Sequence, residues 1–541
     1  VLTSTMAQES APQPSVNKAA RGSFTWPGVL AGVTVVVMAW LPHSYLRMVG
    51  WPWALVWQVG FLAIALWLIT QLRQLDRPFR PLGYGLDWAV AATGVSLIIC
   101  SLASDFRAVA LWNVVLASFY LLALYGGVNW VRQTQVAMTH LAAAIAGTFL
   151  GTAVISLALW RPGAESGIDN EFYQALRNAM PFGHHNFVGG YFALALPVVL
   201  ACAVAFKGWL RWLAVAATAL TGIALYVSGS RGALLGVLVW LLVAIAIFVV
   251  GPSAKGRPRR LAIGGLGLAV VVAVALSNPR VRSLLGSLNV ANPSGFVVQD
   301  GPLLDRYFLA KIAANILRDR PLVGVGPGVM SRVSNLYRPI EAGLGVDHSQ
   351  QLHSTPFQVV GELGLLGLGV YLLWLVLVVR LWLRLHRTVQ DHTQRWLLYG
   401  AGGGLLAYGI SSLTDYQLEN IGISMALVAL LGGLLYIADR ADLPLPQPVN
   451  TPTRRYLSLG LLAWLVIAGY LWLMADLGFW HGDRALHQAR QGDVAASLQH
   501  LSSAAALVPW DPTYHALLGQ EIYGLLPQVP PEEQAAARQD M

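Results

Sequence analysis

Long apolar runs recur along the whole of this 541-residue chain, and no other feature limits its fold so severely. A helix needs about 20 predominantly apolar residues to cross a bilayer. Runs of that kind fall near 27–46, 51–71, 86–104, 107–127, 136–160, 187–206, 209–228, 231–251, 261–277, 356–380, 396–414, 421–438 and 457–475. Charged residues make up only 11% of the chain, where a soluble domain carries about 25%. A chain so poor in charge could not cover its own surface in water, which excludes a soluble enzyme, a disordered chain and a fibrous one. The expectation is an all-α, polytopic helical membrane protein of about 13 transmembrane helices. Its 54 glycines and 20 tryptophans agree, since Gly lets helices approach closely and Trp sits at membrane interfaces. Cys100 and Cys202 both lie inside apolar runs, so neither a disulfide framework nor a thiolate metal site is expected.

The net charge of +9 is no argument for nucleic acid, because basic residues of membrane proteins gather in cytoplasmic loops. With the N-terminus inside, cytoplasmic segments hold 19 of the 35 Lys and Arg, among them Arg73, Arg77, Arg80, Lys255, Arg257, Arg259, Arg260, Arg380, Arg384, Arg387 and Arg395. The short outer loops hold only Arg47, Arg107, Arg161, Arg177 and Arg231. The sequence thus divides into a cytoplasmic arm (1–26), a transmembrane region (27–475) with a large outer loop (278–355), and an outer tail (476–541). The first apolar run is read as a span and not a cleavable signal, being long, preceded by a polar stretch and without a small-residue cleavage pattern. The tail reads as helix–turn–helix, with Gly492-Asp493 between two helices and "PWDPTYHALLG" after them. It resembles a tetratricopeptide repeat, which suggests a protein partner for the tail.

Chemistry-bearing residues cluster at the outer ends of the spans. Thr355-Pro356-Phe357-Gln358 predicts a capping box, with Thr355 as N-cap, at the start of the tenth span. His353 would stand just outside it, at the positive end of a helix, as a candidate base or as an interfacial His bonded to a loop carbonyl. Glu362 lies about 13 Å further along, too far to orient His353 unless the helix breaks at Gly361 or Gly364. Arg231 opens the eighth span outside, against the positive-inside trend, with Ser230 as its cap. It suits an anion at a helix N-terminus, or a snorkelling interface side chain. In the outer loop, residues 303–318 predict an amphipathic helix with Arg306 in its first turn, followed by the turn "PLVGVGPG" at 321–328. His184, His185 and Asn186 precede the sixth span; adjacent helical residues point apart, so the two histidines are not expected to share a metal. Asp415, Gln417, Glu419 and Asn420 form a polar set between the eleventh and twelfth spans.

Taken together these motifs resemble the O-antigen ligase superfamily, which includes O-antigen polymerases and bacterial protein O-oligosaccharyltransferases. The family's His-Asn-x-x-Leu…Glu-x-Gly-x-x-Gly pattern is matched by His353, Glu362, Gly364 and Gly367, with Ser354 and Phe357 at its Asn and Leu positions. Ser230-Arg231-Gly232 matches its Ser-Arg-Gly, and Arg306 its loop arginine; the likeness spans about 180–435. The resemblance implies a C-type glycosyltransferase fold in the bacterial inner membrane. It implies metal- and cofactor-free, inverting transfer of a glycan from a polyprenyl-diphosphate-linked donor to a glycan, lipid or protein acceptor, as in lipopolysaccharide biosynthesis. His353, Arg231 and Arg306 would then be catalytic, with Asn186, His185 and Glu362 as further substrate-binding residues. Ligase, polymerase and protein glycosylation stay open, and so does an inorganic-carbon transporter. Transport would call for inverted repeats and mid-span ionisable pairs, which the sequence does not display.

The topology makes a prediction of its own. Cysteines placed at Ser4 and Gln539 should label from opposite sides of the membrane; labelling from one side would mean the span count is wrong by one.

Overall fold

The computed structural model describes residues 26–48, 50–162, 176–250, 257–279, 281–282, 302–342, 350–441 and 443–525. The arm at 1–25, residues 283–301 and 343–349 of the loop, and the end of the tail lie outside the described residues. Among the described residues the protein is all helix, without a strand.

Sixteen long helices follow in chain order. They are α1 (Trp26–Trp40), α2 (Trp53–Arg73), α3 (Leu86–Ala103), α4 (Arg107–Thr134), α5 (Met138–Leu159), α6 (His185–Ala205), α7 (Gly208–Ser228) and α8 (Arg231–Val250). After them come α9 (Arg257–Ser277), α10 (Pro302–Asp319), α11 (Thr355–Thr388), α12 (His392–Ser411), α13 (Ile421–Arg440), α14 (Thr451–Arg490), α15 (Val494–Leu507) and α16 (Pro512–Leu525). Every apolar run predicted from sequence falls on a helix. Ten of the described helices are long and apolar enough to cross a membrane, rather than thirteen. Of the other three, α1 and the apolar part of α9 are short. Helix α12 is long enough but carries His392, Gln394 and Arg395 near one end and a run of glycines in its middle. It is enclosed by α6, α8 and α13, so protein and not lipid surrounds it.

Helix α6 is the most buried of the spans. It sits among α5, α7, α8 and α12, and glycines let these backbones nearly touch. A Cβ on Gly404 of α12 would run into the Leu194 carbonyl of α6, and one on Gly236 of α8 into the Ala407 carbonyl of α12. Close approach of this kind replaces the hydrophobic drive that helices lack in lipid. It also gathers at one level the N-termini of α6 and α8 and the C-terminus of α12. A second apolar cluster, with Trp57, Phe61, Phe119 and Trp472 in ring contact, joins α2, α4 and α14.

The outer loop is built on α10, whose Phe308, Leu309, Ile312 and Ile316 bury against Val325, Val329, Met330 and Leu352. It is fastened to α11 where that helix breaks. Gly364 adopts φ 60°, ψ −153°, conformations open to glycine, and the carbonyls of Gly361 and Glu362 turn to accept the Val325 and Gly326 amides at 3.0 and 2.8 Å. In return the Leu365 and Leu366 amides donate to Pro321 and Leu322. The predicted capping box does not form. Ser354 is the N-cap, with no side-chain cap bond, and Gln358 is engaged elsewhere.

Helix α14 runs unbroken for 40 residues, so the first helix of the tail continues the last span across the predicted boundary at 475. Tyr514 and Val508 fold α15 and α16 back against Gly478 and Gly482. The tail meets the outer loop at Arg332, which reaches Asp511 at 4.0 Å.

The glycine contacts can be tested by adding one methyl. Gly236→Ala should lower the thermal midpoint of the detergent-solubilised protein, at a cost of about 1–3 kcal/mol. Gly409→Ala, where a Cβ meets nothing within 4 Å, should not lower it and should raise it slightly through helix propensity.

Candidate active site

His353 precedes α11 in the left-handed region at φ 47°, a conformation that costs a non-glycine residue of order 1 kcal/mol or more. The surroundings impose it. The Leu352 amide donates to Gln358 Oε1 at 2.7 Å, and the Thr355 amide donates to the Ser412 carbonyl at 2.8 Å. The chain is thus pinned on both sides of His353, and the ring is turned toward the loop between α12 and α13. There Nδ1 meets Asp415 Oδ1 at 2.7 Å. An ionised carboxylate can only accept, so Nδ1 carries a proton and Nε2 is the ring nitrogen available for proton transfer.

Asp415 is 2% exposed, and a buried carboxylate must be matched by donors. Burial raises its pKa, yet the hydrogen bond and charge of His353, with help from His184 and from Gln417, hold it below the ordinary carboxylate value. Gln417 Nε2 donates to Asp415 Oδ2 at 3.1 Å and to the Asn186 carbonyl at 2.8 Å. Thr355 Oγ1 donates to the Asp415 carbonyl at 3.2 Å.

His184 and His185 do not point apart as expected. His184 is the extended N-cap of α6 (φ −144°) and so escapes the helical spacing; its ring lies 4.7 Å from that of His185 and 6.4 Å from that of His353. Burial lowers the His184 pKa, with Asp415 opposing and the positive charges of Arg177 and Arg306 adding to the depression. Among the described residues no three His, Cys, Asp or Glu side chains are grouped to hold a metal ion.

Arg231 is the first residue of α8, following Gly229 at φ 60° and Ser230, whose Oγ accepts the Ala233 amide at 3.5 Å. Arg306 rises from the first turn of α10. Burial draws its pKa down, Asp415 and Asp305 oppose this, and the like charge of Arg231 adds to it. It stays a cation regardless. Neither arginine is within ion-pair distance of a carboxylate among the described residues. Two guanidinium groups, neighbours in charge and without a carboxylate partner among the described residues, stand beside an oriented imidazole.

Glu362 is placed differently. It is 6% exposed, receives Gln358 Nε2 at 2.8 Å, and takes the backbone N–H groups of Gly328 and Met330. Its carboxylate therefore holds the 321–328 turn. Of the residues expected from sequence, His353, Arg231, Arg306, His185 and Asn186 gather at the N-terminal ends of α6, α8, α10 and α11, while Glu362 lies behind them. Sequence reading did not assign Asp415, Gln417, His184 or Gln358. The signal for Asp415 was its place in a polar set at the same outer face, without any periodicity to tie it to His353.

Residues 216–372 match the family described as O-antigen ligase (Wzy_C). The matched stretch contains Arg231, Arg306, His353, Glu362 and the Gly364 break; it begins after His184 and ends before Asp415. No curated protein matches the chain. The match and the helices together support a multi-pass inner-membrane protein with the coarse activity of a glycosyl-transferring ligase acting with lipid-linked glycan and membrane lipids.

His184 carries a pH prediction. Its folded pKa lies below the unfolded value of about 6.5, so the folded state binds fewer protons, and stability is full above that pH and falls as the pH drops through it. The thermal midpoint should decline between pH 7 and 5.5, and His184→Gln should flatten that decline.

Proposed function

We propose that this protein transfers a glycan from a polyprenyl-diphosphate-linked donor to an acceptor hydroxyl at the outer membrane face. The observation that carries the reading is the 2.7 Å contact of His353 with buried Asp415 beside two arginines that have no ion-pair partner among the described residues. Asp415 fixes the ring so that Nε2 is free to take a proton, and it steadies the imidazolium that results. Arg231 and Arg306 hold the diphosphate and stabilise the charge that grows on it as it leaves. The acceptor hydroxyl gives its proton to Nε2 and bonds to the anomeric carbon. On the opposite face the bond from that carbon to the phosphate oxygen breaks, and its electron pair departs with the polyprenyl diphosphate. Attack opposite the leaving group inverts the configuration. The outer N-termini of α6, α8 and α11 add positive potential at the same level. Ligation to lipid is the reading favoured by the matched family; polymerisation and protein glycosylation use the same chemistry on other acceptors.

His353→Ala should abolish transfer and leave binding of the lipid-linked donor nearly intact, because a base acts in the step and not in docking. Arg231→Lys and Arg306→Lys should each lose roughly ten- to hundredfold in rate or donor affinity, since a point charge keeps the sign but not the fork. EDTA should not inhibit. Near-normal activity of both lysine variants, or loss of activity on chelation, would overturn the arginine clamp. A glycan profile of a deletion strain identifies the acceptor: a lost lipopolysaccharide ladder, shortened chains or lost glycoprotein bands.

A further inference from the structure

Gln417 is completely buried in the loop between α12 and α13, and its amide orientation is fixed by chemistry. Its Nε2 faces two acceptors, the Asp415 carboxylate and the Asn186 carbonyl, which only an NH₂ can satisfy. Both amide hydrogens are thereby used. The other atom, Oε1, is buried without a hydrogen-bond partner and rests on the bare Cα of Gly190, where a Cβ would collide with it. Gly190 lies inside α6 with no turn or positive φ to explain it. A glycine there costs helix stability of about 1 kcal/mol relative to alanine. What it provides is the room in which the Gln417 amide sits.

We propose that Gln417 is a positioning residue of the His353–Asp415 pair, kept in its working orientation by the missing side chain at Gly190. This rests on the reading of His353 as the base. Asp415 Oδ1 serves His353 and Oδ2 is held by Gln417, so the carboxylate cannot rotate about its own axis. Without the second bond the carboxylate is free to swing, and the ring loses its aim. The carboxylate also keeps more negative charge for the imidazole, so the pair holds its proton to higher pH. The charged and titratable groups facing Asp415 are His353 ahead of α11, His184 at α6, Arg306 on α10 and Tyr408 on α12. None of these is altered when residue 417 or 190 is changed.

The test uses the full-length purified protein, with the lipid-linked glycan fraction of host membranes as donor probe and release of polyprenyl diphosphate as readout. The variants are Gln417→Ala, Gln417→Met, which keeps the length but loses the donors without adding charge, and Gly190→Ala. Each should lower kcat about ten- to hundredfold with KM for the donor little changed, and move the acidic limb of kcat to higher pH. The modification rate of His353 by diethyl pyrocarbonate, followed by mass spectrometry against pH, reads the same midpoint without any turnover and should move the same way. Gly190→Ala should add little to Gln417→Ala in a double-mutant cycle, because the alanine acts only through the amide it displaces. If Gln417→Ala does not fold, Gln417→Met and Gly190→Ala give the same two readouts. An inactive His353→Ala together with wild-type kcat and midpoint in the Gln417 and Gly190 variants would overturn the proposal and leave the base in place. An active His353→Ala with a shifted His353 midpoint in those variants would overturn the base and keep the positioning.

Discussion

Backbone contact between α6, α8 and α12 is the constraint on which the rest depends. In lipid, apolar side chains gain little by meeting one another, so helices that must hold a fixed geometry do so by dense packing and hydrogen bonds. Here glycines at 236 and 404 remove the side chains that would hold the axes apart, and carbonyl oxygens of the neighbouring helices fill the space. The outer ends of three helices then lie within side-chain reach of one another. A carboxylate as enclosed as Asp415 is tolerable only in such a place, where His353 and Gln417 each hold one of its oxygens and Thr355 holds its backbone carbonyl.

The site has a fixed half and a fastened half. Arg231, His184 and Asp415 belong to the tightly packed helices. Arg306 belongs to the outer loop, which has its own small apolar core and is clasped to α11 at the Gly364 break. Glu362 closes that clasp by taking the amides of Gly328 and Met330. His353 stands at the seam, tied to the fixed half through Asp415 and the Ser412 carbonyl. A diphosphate held by Arg231 and Arg306 would bridge the two halves.

Much of the fold was legible in the sequence because membrane helices announce themselves by length and apolarity. Where enclosure by protein replaces lipid, as at α12, that signal weakens. His353, Arg231 and Arg306 could be found because each breaks a local trend at a span end. Asp415 could not be paired with His353, since they stand 62 positions apart and the contact is set by how α11 and α12 pack. Glu362 was visible as a costly carboxylate in a span, but its partners are backbone amides of a glycine turn, and amides leave no trace in a sequence pattern. The two histidines at 184 and 185 were misjudged by one residue of helix boundary: an N-cap does not obey helical spacing.

Helix α14 has a mechanical meaning. Its 40 residues make a rod about 60 Å long, twice the hydrocarbon thickness of a bilayer. At its N-terminal end Arg454 is buried and donates to the carbonyls of Gln71, Leu72, Gln74 and Arg77, which makes that end an anchored one. The far end carries α15 and α16 and rests on the outer loop at Arg332, two residues beyond the Met330 amide that Glu362 holds. A rod hinged at one face and resting on a loop at the other converts a small change in tilt into a displacement of several ångströms at its tip.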